Sequence, residues 1–211
     1  MTREEMTPEA YNRLIDAIGE LLFTQGLKAT TMDSIASALQ ISKRTLYEIF
    51  NSKNEMVLSA LEASHQRHSA ALKEIFQNSA NVMEGILKGF LYHRDVMRRV
   101  HVDFFRDMDS LYAEARQHSS NNEKKMMEKF LAVFKKGARQ GYFRKNVNFT
   151  LHCRLLWIQM ESLKRMEELF PPDITLPEAY DSINISFLRS IASPKGMEML
   201  DNMVENLKIT T

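Results

Sequence analysis

Lys43, Arg44, Tyr47 and Lys53 crowd the stretch SKRTLYEIFNSKNEM, residues 42–56. Cations and a phenol at that spacing serve either as a solvated helix surface or as a face for phosphates and base edges. Arg44 has the forked geometry that meets guanine O6 and N7, whereas Tyr47 and Lys53 suit phosphate oxygens. Thr31 and Ser42, both placed to open helices, bring backbone amides to the same anionic surface. Glu48 adds a carboxylate there, able to accept from a cytosine N4 or to repel a phosphate.

The elements that must hold these residues are helices. Only 7 Gly and 5 Pro interrupt a chain of 211 residues, and apolar residues recur three and four apart rather than alternating. A first helix starts near Pro8, turns Leu14, Ile15, Ile18, Leu21 and Leu22 inward, and stops at Gly26, which suits a left-handed cap. Thr31 caps a short second helix, MDSIASAL, with Asp33 in its first turn, where the helix dipole favours negative charge. Ser42 caps a third, KRTLYEIF, whose Leu46, Ile49 and Phe50 share one arc while Lys43, Arg44, Tyr47 and Glu48 share the other. A long helix follows from Lys53. Two short capped helices joined by a tight turn and braced on both sides form a helix-turn-helix unit, whose second helix fits a major groove. Further helices are expected over 81–106, 109–117, 122–140, 148–169, 177–192 and 195–207.

Composition bounds what the chain does. With 44% hydrophobic and 26% charged residues it folds as an ordinary globular protein. A net charge of +1 gives no global attraction to anions, and residues 1–62 carry six Lys or Arg against nine Asp or Glu, a balance of −3. Any DNA contact therefore depends on a few residues, not on a broad basic patch. Cys153 is the single cysteine, which excludes an internal disulfide and a multi-cysteine zinc site. The start MTREEMTPEA has no apolar core of a signal peptide, and later apolar runs are broken by charges before they span a bilayer, so the expected location is cytoplasmic with no membrane partner. Glu62 and His65 have the spacing of a di-iron helix motif, and His68 lies three further on, but no second such motif accompanies them; no metal and no cofactor are expected. Gly85 and Gly89 are read as helix packing, given Lys88 between them. The motifs of nucleophilic, phosphate-loop, zinc-protease and dinucleotide chemistry are absent, so an enzyme is not expected.

The segment GLKATTMDSIASALQISKRTLYEIFNSKNEM, residues 26–56, resembles the DNA-binding region of the TetR family of bacterial transcriptional regulators. Gly26, Thr31, Ile35, Ala36, Ser42, Lys43, Thr45, Leu46, Tyr47, Phe50, Ser52 and Lys53 stand at patterned positions. The resemblance implies an all-α homodimer that binds a palindromic double-stranded operator and releases it when a small-molecule effector enters the C-terminal domain. It implies phosphate-side roles for Thr31, Lys43, Tyr47 and Lys53, and base contacts at Arg44 and Thr45. GYFRKNVN and FLRSIASPKGMEML resemble segments that end two C-terminal helices in one branch of the family. Three residues depart from the pattern. Gln40 stands where the turn usually has Gly, Arg44 replaces a residue that is often small, and Glu48 places a carboxylate on the DNA face.

The expected organisation is a three-helix DNA-binding domain over 1–52 and a larger helical domain for effector binding and dimerisation over 53–211. The 14 Met and an aromatic set suit an adaptable apolar cavity, with Phe104, Phe105, Tyr112, Met127, Phe130, Phe134 and Trp157 as candidate lining. The helix around Leu155, Leu156, Trp157, Ile158, Met160 and Leu163 is apolar almost all the way round, which predicts burial on more than one side. Leu155, Ile158 and Met160, with Ile183, Phe187 and Ile191 of the next helix, are the candidate dimer contacts. The competing reading is an all-helical protein-interaction module that keeps this fold without regulating DNA.

Overall fold

The computed structural model describes residues 3–101 and 103–206. Among them helices dominate, and the only strand-like pairing is an isolated antiparallel bridge between Phe143 and Ala192. In chain order the helices are α1 (Pro8–Gln25), α2 (Met32–Ala38), α3 (Lys43–Ile49), α4 (Lys53–Gln77), α5 (Val82–Met97), α6 (Phe104–Leu111), α7 (Ala113–Arg139), α8 (Phe149–Ser162), α9 (Met166–Leu169), α10 (Leu176–Ile191) and α11 (Pro194–Asn206). They divide into two compact units: residues 1–71 with 99–121, and residues 72–98 with 122–211.

The first unit is built from its caps inward. Thr7 accepts from the Ala10 amide, Pro8 opens α1, and Gly26 closes it at φ 85°. Ile15, Ile18 and Leu22 of α1 meet Ile35 of α2, Leu46 and Ile49 of α3, Phe50, and Met56 and Val57 of α4, all buried. Each such side chain contributes about 1.5–3 kcal/mol by leaving water, which two seven-residue helices need because their own hydrogen bonds do not sustain them. The segment 99–121 completes this core. Phe104 lies 4.7 Å from Phe23 between ring centroids, and the His101 N–H donates to the Phe23 carbonyl at 2.6 Å.

That last bond explains a departure from the expected helices. The predicted helix over 81–106 is two, α5 and α6, interrupted where His101 reaches α1. Conversely, the helices expected over 109–117 and 122–140 join as α7 beyond a break at Tyr112, since the serines and asparagines of 119–122 cost a helix only tenths of a kcal/mol each. The expected 148–169 helix ends at Ser162 and continues as a 3-10 turn and α9. The expected 195–207 helix runs from Pro194 to Asn206, with residue 207 outside the described residues.

The second unit centres on Met83, Ile86, Leu87, Phe134, Phe143, Leu156, Leu188, Ile191 and Leu200. Arg94 of α5 donates to Asp181 of α10 at 2.8 Å, within a largely buried pair. Gly85 and Gly89 of α5 face Phe76 and Leu72 at the end of α4, so this pair of glycines is used for helix packing. No helix among the described residues is long and apolar enough to cross a membrane. Cys153 is buried on α8, and burial pushes its thiol pKa up to about 11.

The two C-terminal motifs meet in this unit. Gly141, at φ 83°, turns the chain after α7. The Tyr142 carbonyl then accepts from the Ser193 N–H at 3.0 Å, and the Arg144 N–H donates to the Ile191 carbonyl at 2.9 Å. The Ser193 hydroxyl donates to the Gly141 carbonyl at 2.6 Å and accepts from the Gly196 N–H at 3.0 Å, capping α11. A Cβ on Gly196 would fall well inside van der Waals contact distance of the Tyr142 carbonyl oxygen.

Candidate nucleic-acid interface

Capping fixes where α2 and α3 begin. Thr31 Oγ1 accepts from the Ser34 N–H at 3.0 Å while Ser34 Oγ accepts from the Thr31 N–H at 2.8 Å, a reciprocal capping box. Ser42 Oγ accepts from the Thr45 N–H at 2.9 Å and shares a 2.8 Å hydrogen bond with the Thr45 hydroxyl. Between the helices, the Gln40 N–H donates to the Ser37 carbonyl and the Ile41 N–H to the Ala36 carbonyl, at 3.1 and 3.0 Å. That paired pattern is a Schellman ending, which requires a left-handed residue, and Gln40 supplies it at φ 55°. A side chain at positive φ costs on the order of 1–2 kcal/mol, partly offset because glycine is freer when unfolded. Gln40→Gly should therefore raise unfolding stability by roughly 0.5–1 kcal/mol in chemical denaturation; a loss of stability would mean that the turn is unstrained.

The faces of α3 separate as their spacing predicts. Leu46 and Ile49 are buried, while Tyr47 is 47% exposed and the Arg44 side chain 89% exposed. Each outward cation is already paired. Lys43 Nζ donates to Asp33 Oδ2 of α2 at 2.8 Å, and Arg44 Nε donates to Glu48 Oε1 one turn on at 2.9 Å. The Asp33 hydrogen bond raises the Lys43 pKa above the usual lysine value, and the Arg44 hydrogen bond lowers that of Glu48 below the usual carboxylate value. Pairs this exposed contribute little to stability. The Lys43–Asp33 pair was not legible beforehand, since ten residues and a turn separate the partners.

Lys53, expected among the phosphate-facing residues, has partners within its own unit. Its ammonium donates to the Leu27 carbonyl at 2.6 Å and lies 6.0 Å from the centroid of the Tyr112 ring. Burial lowers its pKa, with the Asp107 carboxylate opposing the shift. Asp107, itself buried, accepts from the Lys28 N–H at 2.8 Å. These contacts brace the loop after α1 and the start of α4.

The match with known proteins falls on this unit. Residues 14–60 match the family described as bacterial regulatory proteins, tetR family. The chain carries a TetR-family DNA-binding domain. It is 25% identical over 147 residues to the transcriptional repressor KstR2 of Mycobacterium tuberculosis, covering 68% of this chain and 74% of KstR2. It is also 30% identical over 91 residues to the transcriptional regulator TcmR of Streptomyces glaucescens, covering 42% of this chain and 40% of TcmR. The TetR regulatory protein of Rhodobacter sphaeroides shares the fold, with a TM-score of 0.71 at 20% identity over 87% of this chain and 99% of that one. A TetR-family chain is a DNA-binding, ligand-responsive transcriptional regulator, all-α, with a helix-turn-helix unit and a helical ligand-binding domain.

In this chain the expected pocket residues fall into two groups. Phe104 and Tyr112 are buried, and Phe105 half-buried, in the core of the first unit. Phe134, with Met127 and Phe130 against it, belongs to the core of the second, and Trp157 is half-buried on α8. The expected dimer residues also divide. Leu155 is 49% and Ile158 56% exposed, joined on the same face by Leu151. Met160 and Ile183 are partly buried against the core. Phe187 and Ile191 are 5% and 0% exposed, which removes them from any partner-facing surface; α10 turns them inward toward the second unit's own core. Burial first, and His65 second, hold the His68 pKa down to about 4. Among the described residues no group of three or more His, Cys, Asp or Glu comes together as a metal site.

Proposed function

We propose that this chain is a cytoplasmic repressor that binds a palindromic operator as a homodimer and releases it on binding a small, largely apolar effector. The observation that carries the reading is α3: a buried Leu46–Ile49 face anchors it, and an exposed face presents Lys43, Arg44 and Tyr47 beside Thr31, Ser42 and Thr45. In this division of labour residues 1–52 read DNA, while residues 53–211 bind the effector and dimerise. The similarity to KstR2, a named repressor, supports repression. The exposed row Leu151, Leu155 and Ile158 supports a partner on α8. The Met- and Phe-lined core of the second unit supports an apolar effector.

The test is to sequence genomic fragments retained by the purified protein. A palindromic consensus is the expected result, and fragments without any enriched sequence would return the interaction-module reading. On the recovered site, Lys43→Ala should weaken binding and lower the salt slope by about 1, because one phosphate contact releases about one counterion. Arg44→Ala should cost about 1–3 kcal/mol on the cognate site and relax one base position. A uniform loss with unchanged preference would move Arg44 to the phosphate backbone.

A further inference from the structure

The outward cations of α3 are each held by a carboxylate at hydrogen-bond distance: Lys43 by Asp33 at 2.8 Å, and Arg44 by Glu48 at 2.9 Å. We propose that Asp33 and Glu48 are specificity determinants of the DNA face, with Asp33 holding Lys43 off indiscriminate phosphates and Glu48 fixing Arg44 to read a guanine. This rests on the reading of α3 as the DNA-facing helix.

The argument starts from charge. Any duplex offers phosphates, so a bare lysine and arginine bind all sequences alike, driven by counterion release. Here each cation is already partly neutralised by its carboxylate, and that carboxylate stands beside any phosphate the cation meets. Non-cognate DNA meets that repulsion at every position. The balance of −3 over residues 1–62 gives the protein no surplus of charge to override it.

Geometry separates the two carboxylates. Asp33 comes from α2 and meets the point charge of Lys43, so it sets how strongly phosphate competes but fixes no direction. Glu48 lies one helical turn beyond Arg44 and accepts from Nε, the nitrogen inside the guanidinium fork. Holding Nε orients the planar group and leaves its two terminal nitrogens for guanine O6 and N7, the bidentate pairing of the major groove. Glu48 is thus a positioning residue for Arg44.

The experiment compares the full-length wild type with Asp33→Asn, Glu48→Ala and Glu48→Gln. Each is titrated with a random duplex and with the fragments the wild type retains, across salt concentrations, after thermal melting has shown that the variants fold. Freeing one cation adds about one phosphate contact, so Asp33→Asn and Glu48→Ala should each raise random-duplex affinity about fivefold at 0.15 M salt and steepen the salt slope by about 0.9. Glu48→Ala should also flatten the base preference at one position. Glu48→Gln, which keeps an oxygen for Nε, should gain random-duplex affinity yet retain that preference. If the wild type enriches a consensus while these variants stay within twofold in random-duplex affinity and keep every base preference, the inference fails and the DNA reading stands. If neither wild type nor variants retain DNA, α3 is not a DNA-facing helix and both fall.

Discussion

A chain carrying Leu155→Asp and Ile158→Asp should sediment as a monomer at micromolar concentration and lose most of its operator affinity, while the proposed wild-type dimer does neither. These side chains lie one turn apart on α8, 49% and 56% exposed, and continue the row begun by Leu151. Large aliphatic groups placed so regularly in water cost the monomer hydration that a second copy would relieve. Burying each is worth about 1.5–3 kcal/mol, and a buried aspartate is opposed by its own desolvation. Counting apolar burial on both copies, the double substitution should weaken association by on the order of 6 kcal/mol or more. Because both positions are outside the core of the second unit, the monomer should keep its helical content and melt cooperatively. A double variant that remains dimeric in analytical ultracentrifugation would place the contact elsewhere.

Gly196→Ala should lower unfolding stability by about 3 kcal/mol, the upper part of the range for overpacking a rigid site. In a chain of this size that corresponds to a fall in Tm of about 6–12 °C. The new Cβ points into the Tyr142 carbonyl oxygen, a backbone atom, not the tip of a flexible side chain. That carbonyl cannot withdraw freely, since it accepts from Ser193 and its neighbours join Phe143 to Ala192 and Arg144 to Ile191. Gly85→Ala is the informative comparison. There the Cβ meets the ring of Phe76 at 2.7 Å, a side chain that can turn aside, so the loss should be smaller. Thermal melts of the two variants decide the matter: equal losses would mean that the Tyr142 backbone shifts as easily as the Phe76 ring.

Local chemistry was readable in the sequence, and long-range contact was not. Pro8 marked the start of α1 because its ring suits a first helical position, and Thr31 and Ser42 marked those of α2 and α3 because a capping hydroxyl acts within three residues of itself. Gln40 was legible as a departure because the family pattern usually has Gly in that turn, and the structure places it at positive φ. The interruption between α5 and α6 left no such mark: no Pro or Gly lies over 98–103, and the break coincides with a hydrogen bond to Phe23, far away in the chain. Apolar periodicity told which residues leave water but not what covers them, so Phe187 and Ile191 were assigned to a partner when their own unit buries them. Lys53 shows the same limit, since a cation's type and spacing do not reveal that a backbone carbonyl has claimed it.

The division of α3 into two faces has a bearing on descent. Leu46 and Ile49 tie the helix to the core, whereas Lys43, Arg44, Tyr47 and Glu48 lie outside it. Exchanges at such exposed positions usually change stability by no more than about 0.5 kcal/mol. A lineage can therefore rewrite the outer four residues one at a time, drifting toward a different recognition sequence, without any intermediate losing its fold. The anchoring residues have no such freedom, so the helix inherits its position conservatively while its vocabulary stays open to selection.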